Sequence, residues 1–215
     1  MTQFALHNYF RSSTSVRVRV ALNLKEVAYE YIPRALLANE HKADDHLALN
    51  PQGLVPTLLT PEGALPQSLA IIEWLEEEYP NPPLLPKGAF ARARVRSLAH
   101  IVAMDIHPVN NLRVLQYLET EFQADAAAKT KWFTTWARAG FEALEARLSA
   151  EAETGAFCHG DAPGLADICL FAQVVNNERF GVGLEGFPTI AGIHQACLQI
   201  PAFERALPAH QPDAQ

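Results

Sequence analysis

Two patterns of apolar and polar positions follow one another along the chain. Over the first 86 residues the apolar positions come in short runs broken by turn residues, and nine of the 15 prolines fall there. Residues 4–7, 27–32, 55–59 and 64–66 predict four short strands, the second with Val27, Tyr29 and Tyr31 on one face. Pro61, Glu62 and Gly63 predict the turn between the last two. Residues 15–25 fit two templates: Val16, Val18 and Val20 alternate as in a strand, while Val16, Val20 and Leu24 recur at helical spacing. The length of the stretch and the Ser/Thr cluster before it favour a helix. Residues 68–79 predict a helix with Ile71, Leu75 and Tyr79 one turn apart and Ser68 as N-cap.

The order strand, helix, strand, helix, strand, strand, helix is that of a thioredoxin-like α/β domain, assigned to residues 1–84. Residues 79–86, with prolines at 80, 82, 83 and 86, cannot continue a helix and predict an interdomain linker. Beyond it Val95, Leu98, Ala99, Val102 and Ile106 form one amphipathic stripe, and further helices are expected near 125–153, 165–180 and 189–199. The second domain, 85–215, is therefore expected to be all-α. Its polar end, from Pro208 onward, is expected to be loosely held.

Composition narrows the function classes. The chain is 49% hydrophobic and 19% charged, ordinary for a folded protein, and its formal net charge is -7, so no general basic field points to nucleic acid. No apolar run is long enough to span a bilayer, and no basic stretch followed by an apolar one opens the chain, so no membrane partner and a cytoplasmic address are expected. Cys158, Cys169 and Cys197 are odd in number and form no C-x-x-C pair, which speaks against a disulfide framework. The scattered histidines offer His100 and His107 on one helix face but no evident third ligand, so no metal site is expected.

Three segments are candidates for chemistry. Arg11-Ser12-Ser13-Thr14-Ser15 stands at the start of the first helix, where free N–H groups and hydroxyls can lower a thiol pKa from about 8.5 toward neutrality. A redundant helix cap accounts for the same residues. Asn50-Pro51-Gln52-Gly53-Leu54-Val55-Pro56 carries a Val-Pro bond that, if cis, would turn the Val55 backbone toward an extended peptide; a trans proline at a strand edge is the plain alternative. Gln67-Ser68, at the mouth of a helix, suits a carboxylate or an amino-acid head group.

The string RSSTSVRVRVALNLK resembles the zeta-class glutathione transferase signature, and residues 50–56 with Gln67-Ser68-Leu69-Ala70-Ile71-Ile72-Glu73 are similar to that family's glutathione site. The likeness continues through 105–111, Glu178-Arg179-Phe180 and Gln211-Pro212-Asp213, covering essentially the whole chain. Two positions depart from the family pattern. Thr14 replaces the usual cysteine, which throws the chemistry onto glutathione itself, and Gly164 replaces a Ser or Thr cap, a change costing a few tenths of a kcal/mol.

The resemblance implies glutathione as cofactor and a small dianionic keto acid, maleylpyruvate or maleylacetoacetate, as substrate, isomerised from cis to trans by reversible thiolate addition. It implies that Ser12, Thr14 and Arg11 are catalytic. It assigns Ser13, His41, Gln52, Val55, Gln67, Ser68 and Asn111 to glutathione, and Arg11, His107, Asn110, Arg113 and Arg179 to the substrate. His107 and Asn111, and Asn110 and Arg113, are spaced to share a helix face, and arginine matches carboxylates as a planar fork. His107 reads equally as a core histidine. Arg113 is the residue the resemblance ties to maleylpyruvate, whereas Arg92, Arg94 and Arg96 are expected to be solvated or interfacial. A homodimer is implied as well. Two rival readings stand beside this one: a transferase that conjugates or dehalogenates small α-halo acids, and a glutathione-binding module without turnover.

Overall fold

The computed structural model describes residues 3–214. They divide into two units, one running to Leu84 and resuming at Leu198, the other spanning Leu85–Cys197.

The first unit is built on four strands, β1 (Ala5–Asn8), β2 (Glu30–Pro33), β3 (Thr57–Thr60) and β4 (Gly63–Pro66), in the order β2-β1-β3-β4. The β1–β2 pair is parallel and the other two are antiparallel. Three helices accompany them, α1 (Ser13–Leu24), α2 (Asp44–Leu49) and α3 (Ser68–Glu78). This is the thioredoxin-like order. The ambiguous stretch is helical, and the structure explains the ambiguity. Val16, Val18, Val20, Ala21 and Leu22 are all fully buried, so α1 has no polar face to betray its period. Even Arg17 and Arg19 lie inside. Ser68 is the first residue of α3 rather than its cap. The cap is Gln67, whose φ of 74° is strained for a side-chain-bearing residue.

The second unit contains α4 (Ala89–His100), a π-helical turn (Ile101–Ile106), α5 (Leu112–Phe122), α6 (Ala126–Ala150), α7 (Leu165–Glu178) and most of α8 (Pro188–Leu198). The π turn packs against α6 at Gly140, where a Cβ would stand 2.3 Å from Ile106 Cδ1. Gly164 is the N-cap of α7, and Asp167 supplies the missing side-chain cap: its carboxylate accepts from the N–H groups of Gly164 (2.9 Å) and Cys158 (2.7 Å). Arg94 corrects the expectation of a solvated face. It is buried, pairs with Glu151 at 2.6 Å and donates to Cys158 O and Thr154 Oγ1.

The chain end differs most from expectation. Residues from Leu198 onward, including α9 (Pro201–Glu204), belong to the first unit and not to an 85–215 domain. They are not loosely held. Gln211 is buried and its amide donates to the carbonyls of Arg205 and Leu207, both at 2.8 Å. Asp213 accepts from Phe10 N–H and Tyr31 O–H. Hydrogen bonds through Gln211 and Asp213 thus give this polar tail partners that its composition conceals.

Candidate active site

Helix α1 opens on the cluster expected to hold a thiolate. Ser12 is its N-cap and accepts from Ser15 N–H at 3.2 Å. Ser12 Oγ and Thr14 Oγ1 stand 2.9 Å apart, and Thr14 Oγ1 donates to Val55 O at 3.1 Å. A carbonyl can only accept and a hydroxyl has one proton, so the Thr14 proton is committed to Val55. In the Ser12–Thr14 pair Ser12 is then the donor, and its proton is the one that can be redirected to an incoming anion. Both hydroxyls are partly exposed, whereas Ser13 is buried. The partial positive charge at the N-terminal end of the helix favours negative charge at the same point. Arg11 lies beside the cluster with its guanidinium 4.8 Å from the centre of the Phe10 ring.

Val55 precedes a cis peptide bond to Pro56 and sits in the loop before β3, not in the strand. The loop is held from beneath. Asn50 Nδ2 and His46 Nε2 both reach Leu54 O, at 2.9 and 3.0 Å, and Gly53, at φ 57°, lets the turn approach His41, whose carbonyl would lie 3.1 Å from a Cβ. His41 is buried, and its Nδ1 has no partner among the described residues. Burial, with Lys42 and His46 nearby, lowers its pKa. Gln52 and Gln67 are exposed and meet directly, Gln67 Nε2 donating to Gln52 Oε1 at 2.7 Å. Ser68 is buried behind them, its Oγ accepting from Arg17 Nη1 at 3.4 Å. The first unit therefore brings Ser12, Thr14 and Val55 together, and Gln52 with Gln67.

In the second unit, residues 107–111 form a turn between the π helix and α5, not the continuous helix face that their spacing predicts. Pro108 and the N-cap role of Asn111, which accepts from Arg113 N–H at 3.2 Å, account for the break. His107 Nε2 and Asn111 Nδ2 nevertheless stand 3.3 Å apart. Asn110 is buried and donates to Phe133 O, so it braces the turn against α6, as does Trp132 through Val109 O. Arg113 is exposed in the first turn of α5 and makes no ion pair among the described residues. Arg179, at the C-terminus of α7, is exposed, with its guanidinium 5.6 Å from the Phe180 ring centre and Nη1 at 3.4 Å from Asn176 Oδ1. All three cysteines are buried and none forms a disulfide among the described residues, and burial pushes the Cys158 and Cys197 thiols up, away from reactivity.

Sequence reasoning missed His46 beneath the loop, which nothing local marks; Asn50 and Asp213 stand in segments already singled out, but without the roles that the structure gives them.

A family model for the glutathione S-transferase N-terminal domain matches residues 6–83. A maleylpyruvate isomerase from a Ralstonia species is 52% identical over 209 residues, 97% of this chain and 99% of its own. The holo structure of a maleylpyruvate isomerase, a bacterial glutathione S-transferase of the zeta class, superposes with a TM-score of 0.96 at 52% identity, covering 98% of this chain and 100% of that one. A maleylacetoacetate isomerase from Methylobacterium extorquens AM1, with bound malonate and glutathione, gives 0.95 at 42% identity over 98% and 99%.

Proposed function

We propose a function for this chain from its family: it belongs to the glutathione S-transferases, within the zeta class, and is a glutathione-dependent cis-trans isomerase of a maleyl keto acid. The observation that carries the reading is the commitment of the Thr14 proton to Val55 O, which leaves the Ser12 hydroxyl as the donor for a sulfur at the N-terminus of α1. With Thr14 in place of a cysteine, no protein thiol stands there. The residues present fit glutathione. The backbone at Val55 suits its cysteinyl part, Gln67 and Ser68 its γ-glutamyl head, and the orphaned Nδ1 of buried His41, with Gln52, its glycyl end.

When bound, glutathione supplies a thiolate that adds to the alkene carbon and, once the bond has turned, leaves again unchanged. Ser12 donates a hydrogen bond that keeps the sulfur ionised, and the α1 N-terminus adds its partial charge. Arg11, Arg113 and Arg179, with His107, are assigned to the carboxylates of the keto acid, whereas buried Asn110, whose amide donates to Phe133 O, braces the turn that carries His107. Fixing both ends of the substrate supplies orientation, a large share of the barrier reduction in such reactions. The relative with bound malonate and glutathione supports a dicarboxylate beside the cofactor. Arg113, the residue that the resemblance ties to maleylpyruvate, is exposed, and the 52% identical relative is a maleylpyruvate isomerase; both support maleylpyruvate over maleylacetoacetate.

We further infer a homodimer, supported by Phe90, 83% exposed on α4, and a cytoplasmic setting, supported by three cysteines that form no disulfide among the described residues. We place the boundary between the two domains near residue 84, a reading supported by the first unit's break at Leu84. The test is turnover of maleylpyruvate and of maleylacetoacetate with and without glutathione. Turnover that requires glutathione and regenerates it is expected. Stoichiometric consumption of glutathione with an α-halo acid, and none with either maleyl acid, would favour the transferase reading instead.

A further inference from the structure

The turn at residues 9–12 carries the groups that the proposed reaction uses, and it is gripped from two sides. Ser12 N–H closes it on Tyr9 O at 3.0 Å. At its centre, Phe10 N–H donates to Asp213 Oδ2 at 3.2 Å, and Phe10 O accepts from Arg19 Nη2 at 2.9 Å. One residue thus has its donor on a full negative charge and its acceptor on a full positive one, and such hydrogen bonds are about twice as strong as neutral ones. Neither charge is loose. Arg19 is completely buried and also donates to Asn8 Oδ1 and, from Nε and Nη2, to Ala206 O. The second oxygen of Asp213 takes the Tyr31 hydroxyl at 2.5 Å.

We propose that Asp213 is a positioning residue for catalysis: through Phe10 N–H it fixes the turn that aims Ser12 Oγ and Arg11 at the reacting groups. The proposal rests on the reading that glutathione sulfur lies at Ser12. Phe10 is the link to both. Its peptide sets the approach of the chain to the Ser12 cap, and its ring carries the Arg11 guanidinium. Burial and the Asp213 carboxylate raise the Tyr31 pKa, so this phenol stays a donor through the neutral range and holds Asp213 in one orientation.

The test uses the full chain with Asp213→Ala, Asp213→Asn and Tyr31→Phe. Three quantities are read: the pH midpoint of the ultraviolet thiolate absorbance of bound glutathione, kcat and KM on maleylpyruvate, and the melting temperature. Asp213→Ala is expected to raise the thiolate midpoint by about half to one unit and lower kcat by about 10-fold, as loss of one charged hydrogen bond upstream implies. Asp213→Asn, whose amide oxygen still accepts from Phe10, should recover most of both. Tyr31→Phe should move them the same way by a smaller amount. A lower melting temperature with unmoved thiolate midpoint and kcat would overturn the proposal, leaving Asp213 a structural anchor. If Asp213→Ala fails to fold, Tyr31→Phe decides by the same readouts. A wild-type protein with no thiolate absorbance on adding glutathione would remove the glutathione reading itself. A normal wild-type signal with unmoved variants removes only the positioning role.

Discussion

The Thr14 hydroxyl donates to the carbonyl of Val55 across 3.1 Å, tying the first turn of α1 to the loop ahead of β3. The tie gives the two neighbouring hydroxyls different duties. Ser12→Ala should lower kcat by about 10- to 100-fold, the loss of a charged hydrogen bond of roughly 1.5–3 kcal/mol, and raise the thiolate pKa of bound glutathione. Thr14→Val, similar in volume, should chiefly raise the KM for glutathione by loosening Val55, with kcat reduced less than about 5-fold. Steady-state kinetics at varied glutathione would check the split, and equal losses of kcat in the two variants would contradict it.

Arg113 separates substrate recognition from surface charge. Arg113→Ala should lower kcat/KM for maleylpyruvate by roughly 10- to 1,000-fold while leaving glutathione affinity unchanged. Arg113→Lys should recover part of the loss, since an ammonium keeps the charge but not the fork. Wild-type kcat/KM in the alanine variant would move maleylacetoacetate ahead of maleylpyruvate.

His7 makes stability depend on pH on the acid side. Its pKa is lowered from 6.5 to about 4, first by burial and then by the Arg34 guanidinium, which donates to its Nδ1. Between those values the unfolded chain binds more protons than the folded one. Stability is therefore full above about pH 6.5 and falls as the pH drops toward 4, by at most about 1.4 kcal/mol per unit. Denaturant midpoints measured across this window should show the slope, and His7→Gln should flatten it. His41 and His194, also lowered by burial, leave a remainder.

Gly140 and Ile106 should couple strongly. Gly140→Ala alone overlaps Ile106 and should destabilise by about 1–3 kcal/mol. In an Ile106→Ala background the same change should become neutral or stabilising, because alanine is the better helix former by about 1 kcal/mol. A double-mutant cycle by denaturant unfolding measures the change of sign, and additive effects would mean that the π turn yields freely.

Much of the fold was legible locally. The strands and α3 follow from period and turn chemistry, and the hydroxyl cluster at residues 12–14 announces itself by position. What stayed hidden depends on distant partners. Arg94 sits in an Arg-x-Arg-x-Arg string that reads as a solvated face, yet its partners Glu151, Thr154 and Cys158 come 57 to 64 residues later. Asp213 meets Phe10 across 203 residues, beyond any window of periodicity. Helix α5 was recoverable from Leu112, Leu115 and Leu118, but the apolar stripe before it masked the break that Pro108 makes.

The return of the chain end to the first unit has a consequence in time. The helical unit is, in sequence, an insertion within the α/β unit. During vectorial synthesis the segment carrying Arg19 leaves the ribosome 187 residues before the Ala206 carbonyl that receives its guanidinium. Until then a cation destined for the interior lacks that acceptor, and the turn at 9–12 lacks its carboxylate. The helical unit can close on itself first, whereas the α/β unit is completed only once residues from Leu198 onward have been made.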